Sequence, residues 1–391
     1  MMKGTDTTAL GDIVDLVMGQ APSSKDTNFE GRGTPFVKVG EFGPIRPVIH
    51  EWTTNPLRMA RRSDVLLCVV GATCGKINLG EECAIGRSVA AIRPHPSKLD
   101  QFYLYYFMMT LVERLRSGSV GAAQTVISKD MVATVQIPCP PLAEQQRIVG
   151  LLDEAFEGLA TAKANAEKNL QNARALFESH LQSVFTQRGK GWVEKNLGDL
   201  CEVFADGDWV ESKDQSSEGI RLIQTGNVGQ GVFKDRADKA RYISEATFKR
   251  LRCTEIFDGD CLISRLPDPV GRSCILPDTG ERMITAVDCT IVRFDQKQLL
   301  SKFFNHYSQS DDYIRTVAKE CTGTTRNRIS RSNLALTTIP VPPIAEQKRL
   351  ASEFDSMREE TQRLARLYEL KHAALEALKK SLLHQAFAGE L

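Results

Sequence analysis

From residue 142 to 187, and again from 344 to 389, the chain contains no proline and its apolar residues step by fours and threes. The first series runs Ile148, Leu152, Ala155, Leu159, Ala162, Ala166. The second runs Leu350, Phe354, Met357, Thr361, Leu364, Tyr368, and continues through Leu375, Leu378 and Leu382. Such spacing over several heptads predicts two long helices with a coiled-coil seam. The first seam is rich in alanine where the second carries Met, Leu and Tyr, so small can face large. At ~1.5 Å per residue, helices of about 46 residues would be rods roughly 70 Å long.

The segments before the helices have another rhythm. "PFVKVGEF", "DVLLCVVGA" and "VAAIRP" in the first, and "RLIQTGNV", "DCLISR" and "CTIVRF" in the second, read as short strands. Gly, Pro and Asp punctuate them. A helical stretch follows in each, "LDQFYLYYFMMTLVERLRS" and "LLSKFFNHYSQSDDYIRTVAKE". The predicted architecture is α+β: two pseudo-repeated α/β domains joined by two long antiparallel helices. The divisions fall at 1–140, 141–188, 189–342 and 343–391.

The two halves repeat each other. "PPLAEQQRI" at 140–148 returns as "PPIAEQKRL" at 342–350, 202 positions on. The match holds without a gap from Gly121 over Gly323 to Phe185 over Phe387. Farther back, with small gaps, "LGDIVDLV" answers "LGDLCEVF", "PFVKVGEFG" answers "RLIQTGNVG", and Gly75-Lys76 answers Gly271-Arg272. The Pro-Pro pairs mark where each long helix opens. Helices of equal length that fold back on each other would place the domains at opposite ends about a pseudo-twofold. Such a layout suits a split DNA site with inverted halves.

Composition narrows the field. The 391 residues are 42% hydrophobic and 25% charged, within the ordinary globular range. No apolar run reaches the ~20 residues of a membrane span, and the first residues lack a signal-peptide layout. The ten cysteines form no C-x-x-C pair and point to a reducing cytoplasm. Residues 1–140 carry 15 Lys/Arg against 13 Asp/Glu, and residues 189–341 carry 22 against 22. DNA held by one such chain alone would be held weakly.

The junctions "IPCPPLAEQQRIVGLLDEAF" and "IPVPPIAEQKRLASEFDSM", the segment "VGATCGKINLG" and the ending "SLLHQAFAGEL" resemble the specificity subunit of type I restriction-modification systems. That resemblance covers nearly the whole chain. It implies two target-recognition domains, each reading half of a bipartite site in double-stranded DNA. It also implies helices that set the spacing and dock two methyltransferase subunits, with motor-nuclease subunits joining for cleavage. Glu144, Gln145, Arg147, Glu346, Gln347 and Arg349 at the junctions are the candidate docking positions. "RLPDP" at 265–269 replaces the Gly-Ala-Thr segment in the second domain, so the DNA-facing loops are expected to differ.

No reaction chemistry is legible. "GATCGKI" has three residues between its glycines where a phosphate loop needs four, and Ile77 replaces the metal-holding Ser or Thr. Asp206, Asp208, Glu211 and Lys213 read as a solvated loop rather than a nuclease centre, and the six histidines are dispersed. No cofactor or metal is expected. The rival readings are a self-contained nuclease or methyltransferase and a coiled-coil scaffold that bridges proteins without reading DNA.

The candidate DNA contacts are polar loop residues. "GTTRNRISRS" at 323–332 offers Arg326, Asn327, Arg328 and Arg331, and its counterpart offers Gln124, Thr125, Ser128 and Lys129. Arg can pair with guanine and Asn with adenine, while Ser, Thr and Lys suit phosphates. Lys38, Arg58, Arg61, Arg62 and Lys76 in the first domain are weaker candidates, as are Gln224, Asn227, Arg265 and Arg272 in the second.

Overall fold

The proline-free segments are helices, Leu142–Gln187 and Ile344–Ala388, in a computed structural model that describes residues 7–117, 126–322 and 327–391. Two units divide the chain: Met1–Glu167 with Glu369–Leu391, and Lys168–Tyr368. The division falls inside both long helices. Each unit therefore holds the head of one helix and the tail of the other.

Both units are built the same way. The first contains an antiparallel sheet in the order Val14–Met18, Val89–Pro94, Val65–Cys68, Ile77–Leu79. The second repeats it as Cys201–Asp206, Cys289–Phe294, Cys261–Ser264, Ser273–Ile275. A second sheet in each has one parallel pair, Thr34–Val37 with Cys83–Ile85 and Ile220–Ile223 with Met283–Thr285. Strands Val65–Cys68 and Cys261–Ser264 are buried along their full length, which explains their unbroken apolar runs. A two-stranded ladder then ties the start of each domain to its end, Thr7–Ala9 with Gln136–Pro138 and Val193–Asn196 with Thr338–Val341. These ladders fix where each Pro-Pro junction leaves the domain.

A charged pair recurs behind the sheets. Arg93 donates to both carboxylate oxygens of buried Asp64 at 2.9 and 3.0 Å, and Arg293 does the same to Asp260 at 2.8 and 2.7 Å. The hydrogen bonds hold both guanidinium groups above their ordinary pKa.

Neither core is complete without helix ends. In the first, Tyr103, Leu104 and Met108 pack with Ile148 and Leu152 from the head of the central helix. Leu383 and Phe387 from the tail of the C-terminal helix close that core. In the second, Phe303, Phe304 and Tyr313 pack with Leu350 and Phe354 from the head of the C-terminal helix, and with Leu181 and Phe185 from the tail of the central one. Phe387 meets Tyr103 at 5.0 Å and Phe107 at 5.3 Å between ring centroids. Phe185 meets Tyr307 at 5.0 Å and Phe303 at 5.7 Å. All these edge-on geometries suit the ring quadrupoles.

Within each unit the helix segments run antiparallel. Lys163 pairs with Glu376 at 2.7 Å and His372 approaches Glu167 at 3.4 Å in the first unit. In the second, His180 meets Glu353 at 2.9 Å and Arg358 lies 4.8 Å over the Phe177 ring. Two details depart from the sequence pattern. Leu378 is 47% exposed, and Lys379 instead places its ammonium over Phe156, 5.0 Å from the ring centroid. The predicted helix around 299–320 is two helices, Ser301–Tyr307 and Asp311–Lys319, because Ser310 caps the second by accepting from the Tyr313 N–H. No described helix is long and apolar enough to cross a membrane.

The shared tails make a test. Phe387→Ala is expected to cost about 3–5 kcal/mol and to lower hydrogen-exchange protection over 101–111, leaving 301–307 unchanged. Phe185→Ala is expected to do the reverse. Equal loss in both domains for either variant would contradict this construction.

Candidate nucleic-acid interface

The loops nominated for DNA contact hang on a backbone frame that the two domains share. In the first domain the Cys68 N–H donates to Lys76 O and the Gly75 N–H donates to Cys68 O, both at 2.8 Å. In the second, Ser264 donates to Arg272 O at 2.9 Å and Gly271 to Ser264 O at 2.8 Å. The two loops are thus of equal length despite their different sequences. Gly75 (φ 87°) and Gly271 (φ 86°) occupy the left-handed region at matched positions. A Cβ there would press on Val112 or Val317 at 3.0 and 2.9 Å, so both strain and space select glycine.

The basic residue after each glycine is a staple. Lys76 Nζ donates to Phe42 O at 3.1 Å, and Arg272 Nε donates to Val228 O, the matching carbonyl, at 2.7 Å. Arg272 adds bonds to the carbonyls of Thr225, Leu266 and Pro269 at 2.7–3.0 Å. It is buried, and that burial holds its pKa below the ordinary arginine value. Arg272 is thus turned inward to carbonyls, whereas Lys76 gives one such bond and remains exposed.

Other nominated residues are also engaged inside the fold. Asn227 is buried, accepting from the Gln224 N–H at 3.0 Å and donating to the carbonyls of Lys234 and Asp235. Gln224 beside it is half-buried. Gln145 and Gln347 are fully buried and make identical bonds. Gln145 accepts from the Asp100 N–H (2.9 Å) and donates to Lys98 O and Pro140 O. Gln347 accepts from the Leu300 N–H (2.9 Å) and donates to Gln298 O and Pro342 O. Each glutamine lashes its helix to its own domain, leaving no side-chain atom for a partner. Their neighbours face outward: Arg147 pairs with Glu144 at 2.8 Å, and Arg349 pairs with Glu353 at 2.8 Å and approaches Glu346 at 3.9 Å.

Several candidates remain at the surface. Lys38, Arg58, Arg61, Arg62, Lys76, Ser128 and Lys129 are exposed in the first domain. Lys38 pairs with buried Glu51, and Arg62 with Glu81 at 3.1 Å. Ser128 caps the helix Lys129–Ala133 by accepting from the Met131 N–H. Asn327, Arg328 and Arg331 are exposed in the second domain, next to buried Arg265. Arg328 pairs with Asp288 at 2.8 Å. Asp206 takes Arg265 at 3.1 Å and Arg331 at 3.6 Å. Gln124, Thr125 and Arg326 lie outside the described residues.

The acidic loop has no centre. Asp206 faces arginines, Glu211 pairs with Lys213, and Asp208 accepts from the Thr254 N–H. Burial pushes the Asp208 carboxyl up to about 6. Among the described residues, no three His, Cys, Asp or Glu side chains gather as a metal would require. In the second domain Arg272 binds the 225–228 turn, and Arg265, Arg328 and Arg331 share Asp206 and Asp288. In the first, Lys38 opens the matching turn that Lys76 holds, and Arg58, Arg61 and Arg62 flank the strand Met59–Ala60. Asp206 and Asp288 are the members that the sequence did not single out as partners. Their signal was available as charge where the first repeat has none.

With this doubled frame described, the chain belongs to the type I restriction-modification specificity family: the model of the type I restriction modification DNA specificity domain matches residues 2–170 and 189–372. The type I restriction enzyme MjaVIII specificity subunit of Methanocaldococcus jannaschii is 21% identical over 99% of this chain and 92% of its own. The protein assigned as the MjaX specificity subunit of the same organism is 32% identical over 161 residues, 41% of this chain and 37% of that one. The fold is that of the HsdS subunit from Thermoanaerobacter tengcongensis (TM-score 0.69, 19% identity, covering 100% and 98% of the two chains). A chain from a study of assembly and conformational transition in the type I R-M system is likewise similar, with TM-score 0.80 and 19% identity over the whole of both chains.

The staples predict an asymmetric response. Arg272→Met removes four carbonyl partners and is expected to cost about 2–3 kcal/mol, with faster hydrogen exchange through 264–272. Lys76→Met removes one partner and should cost about 1 kcal/mol. Equal costs by chemical denaturation would argue against the staple role.

Proposed function

We propose that this chain is the non-catalytic DNA-reading subunit of a type I restriction-modification complex. Domains 1–140 and 189–342 each read one half of a bipartite site in double-stranded DNA. The helices 141–188 and 343–391 set the spacer. Outward residues at the helix junctions, Glu144, Arg147, Glu346 and Arg349, dock two methyltransferase subunits, and motor-nuclease subunits join for cleavage. The DNA-facing set comprises the exposed Lys38, Arg58, Arg61, Arg62, Lys76, Ser128 and Lys129 in the first domain and Asn327, Arg328 and Arg331 in the second.

The observation that carries this reading is one backbone frame bearing two different sets of side chains. A scaffold that only bridged proteins would have no use for two matched loops decorated differently. Two readers of unlike half-sites require that. The near balance of charge in each domain further supports a reader that depends on partner subunits to encircle the duplex, since few phosphates are neutralised by this chain alone.

Mapping methylated adenines in DNA modified by the assembled complex tests the reading. A bipartite motif is expected, and exchanging residues 197–340 for the equivalent domain of a relative should change one half-site only. Both halves changing together would sink the two-reader idea. By itself the chain should bind duplex DNA weakly, with affinity falling steeply as salt rises. Tight sequence-specific binding by the isolated chain would contradict that.

The helices carry a separate expectation. Removing Leu159–Asn165 together with Thr361–Leu367 shortens each helix by roughly 10 Å, or about three base pairs of duplex. The mapped spacer should contract with both half-sites kept, or methylation should be lost. An active double deletion with the original spacing would show that the helices are not the ruler.

A further inference from the structure

The shared frame identifies five positions at which the domains part company. The Gly19 N–H donates to Val89 O and the Gly207 N–H to Cys289 O, so Asp206 stands where the first domain has Met18. Val69 donates to Ser88 O and Arg265 to Asp288 O, both at 2.9 Å, so Arg265 replaces Val69 and Asp288 replaces Ser88. Ile127 donates to Val69 O and Ile329 to Arg265 O, so Arg328 follows in place of Val126 and Arg331 in place of Lys129. The first domain makes the same frame without the ion pairs. The network is therefore not something the fold requires.

Its geometry is that of arginines engaged over only part of the guanidinium. Arg328 pairs through Nη2 with Asp288 at 2.8 Å, and Arg331 places Nε 3.6 Å from Asp206 while Nη1 donates to Phe204 O at 3.5 Å; both side chains stay nearly half exposed. Arg265 is buried beneath them, donating to Val287 O and lying 3.1 Å from an Asp206 carboxylate oxygen as an ion pair. A guanidinium has five donors in a rigid fork, so an arginine braced along one edge still presents the other to a base. The two carboxylates also bring negative charge to the place where a duplex backbone would approach.

We propose that Asp206 and Asp288 are positioning residues for specificity in the second domain, bracing Arg331 and Arg328 for base contact and opposing non-specific phosphate contact. The proposal rests on the DNA-reading function argued above. A matching half-site is read with the ion pairs intact. On any other sequence the arginines reach phosphate only by leaving their carboxylates, which themselves repel the backbone.

The test uses the chain assembled with its methyltransferase subunits and two probes, sheared random-sequence DNA and a duplex carrying the mapped bipartite site. Asp206→Asn with Asp288→Ser, the serine being the first domain's own residue, should strengthen random-sequence binding about tenfold. That corresponds to roughly threefold per exposed ion pair removed. Binding to the mapped site should change by less than about twofold, so discrimination falls and off-motif methylation rises. Glu359→Gln with Glu360→Gln, on the C-terminal helix, removes the same two charges and should change neither probe. Equal shifts on both probes, no shift on either, or the same gain from that control would overturn the proposal. Thermal melting of each variant separates these results from loss of fold. Arg328→Ala with Arg331→Ala keeps the two levels of argument distinct. It should weaken both probes and flatten the salt dependence. If it leaves binding and the methylation motif unchanged, this face does not read DNA and the broader site assignment fails. If it weakens binding while the aspartate variants are silent, only the bracing role fails.

Discussion

Each domain is sealed by apolar side chains that arrive on the far end of a helix begun elsewhere in the chain. Leu383 and Phe387 fill the first core, and Leu181 and Phe185 fill the second. Burying a phenylalanine against other rings is worth several kcal/mol, a large part of a typical domain's margin of stability. The helices are thus fixed at both ends, and a residue gained or lost between head and tail would turn the sealing side chains away from their cores. That constraint explains where the duplication tolerates gaps. The 202-residue register is unbroken from Gly121 to Phe387, through both junctions and both helices, and slips only upstream among the strands and loops.

Much of this was visible in the chain because duplication supplies its own control. A pattern that occurs twice at one offset separates architecture from accident, and the absence of proline with steps of four and three described the helices well. What escaped was anything decided by distant backbone. Gln145 and Gln347 look like surface residues on an exposed first turn. They are buried because the carbonyls of Lys98 and Gln298, some 47 and 49 residues upstream, are folded over them. Arg272 looked like a DNA ligand for the same reason: a cation in a glycine loop gives no hint that four carbonyls wait behind it. The break at Ser310 follows from one hydroxyl acting as a cap, where the apolar spacing alone would run through.

The result is a division between frame and face. Shared residues such as Gly75 with Gly271, Asp64 with Asp260 and Gln145 with Gln347 hold the backbone and are inward. Of the five positions that differ, Arg328 and Arg331 look out, Asp206 and Asp288 are half-buried and Arg265 is buried beneath them. Because the five-residue ionic layer of the second domain has an uncharged precedent at four matched sites in the first, a new face can be written on this frame with little risk to the fold.

The exchanged tails also set an order of completion during synthesis. The first domain leaves the ribosome early, yet its core waits for Leu383 and Phe387, which are made after the second domain and nearly all of both helices. The second domain meets no such delay, since Phe185 precedes it and Phe354 follows closely. Domains generally fold as units while the chain emerges, so here the N-terminal one is finished last. Until Leu383 and Phe387 emerge, the oldest domain lacks the two side chains that pack against Tyr103, Leu104 and Met108.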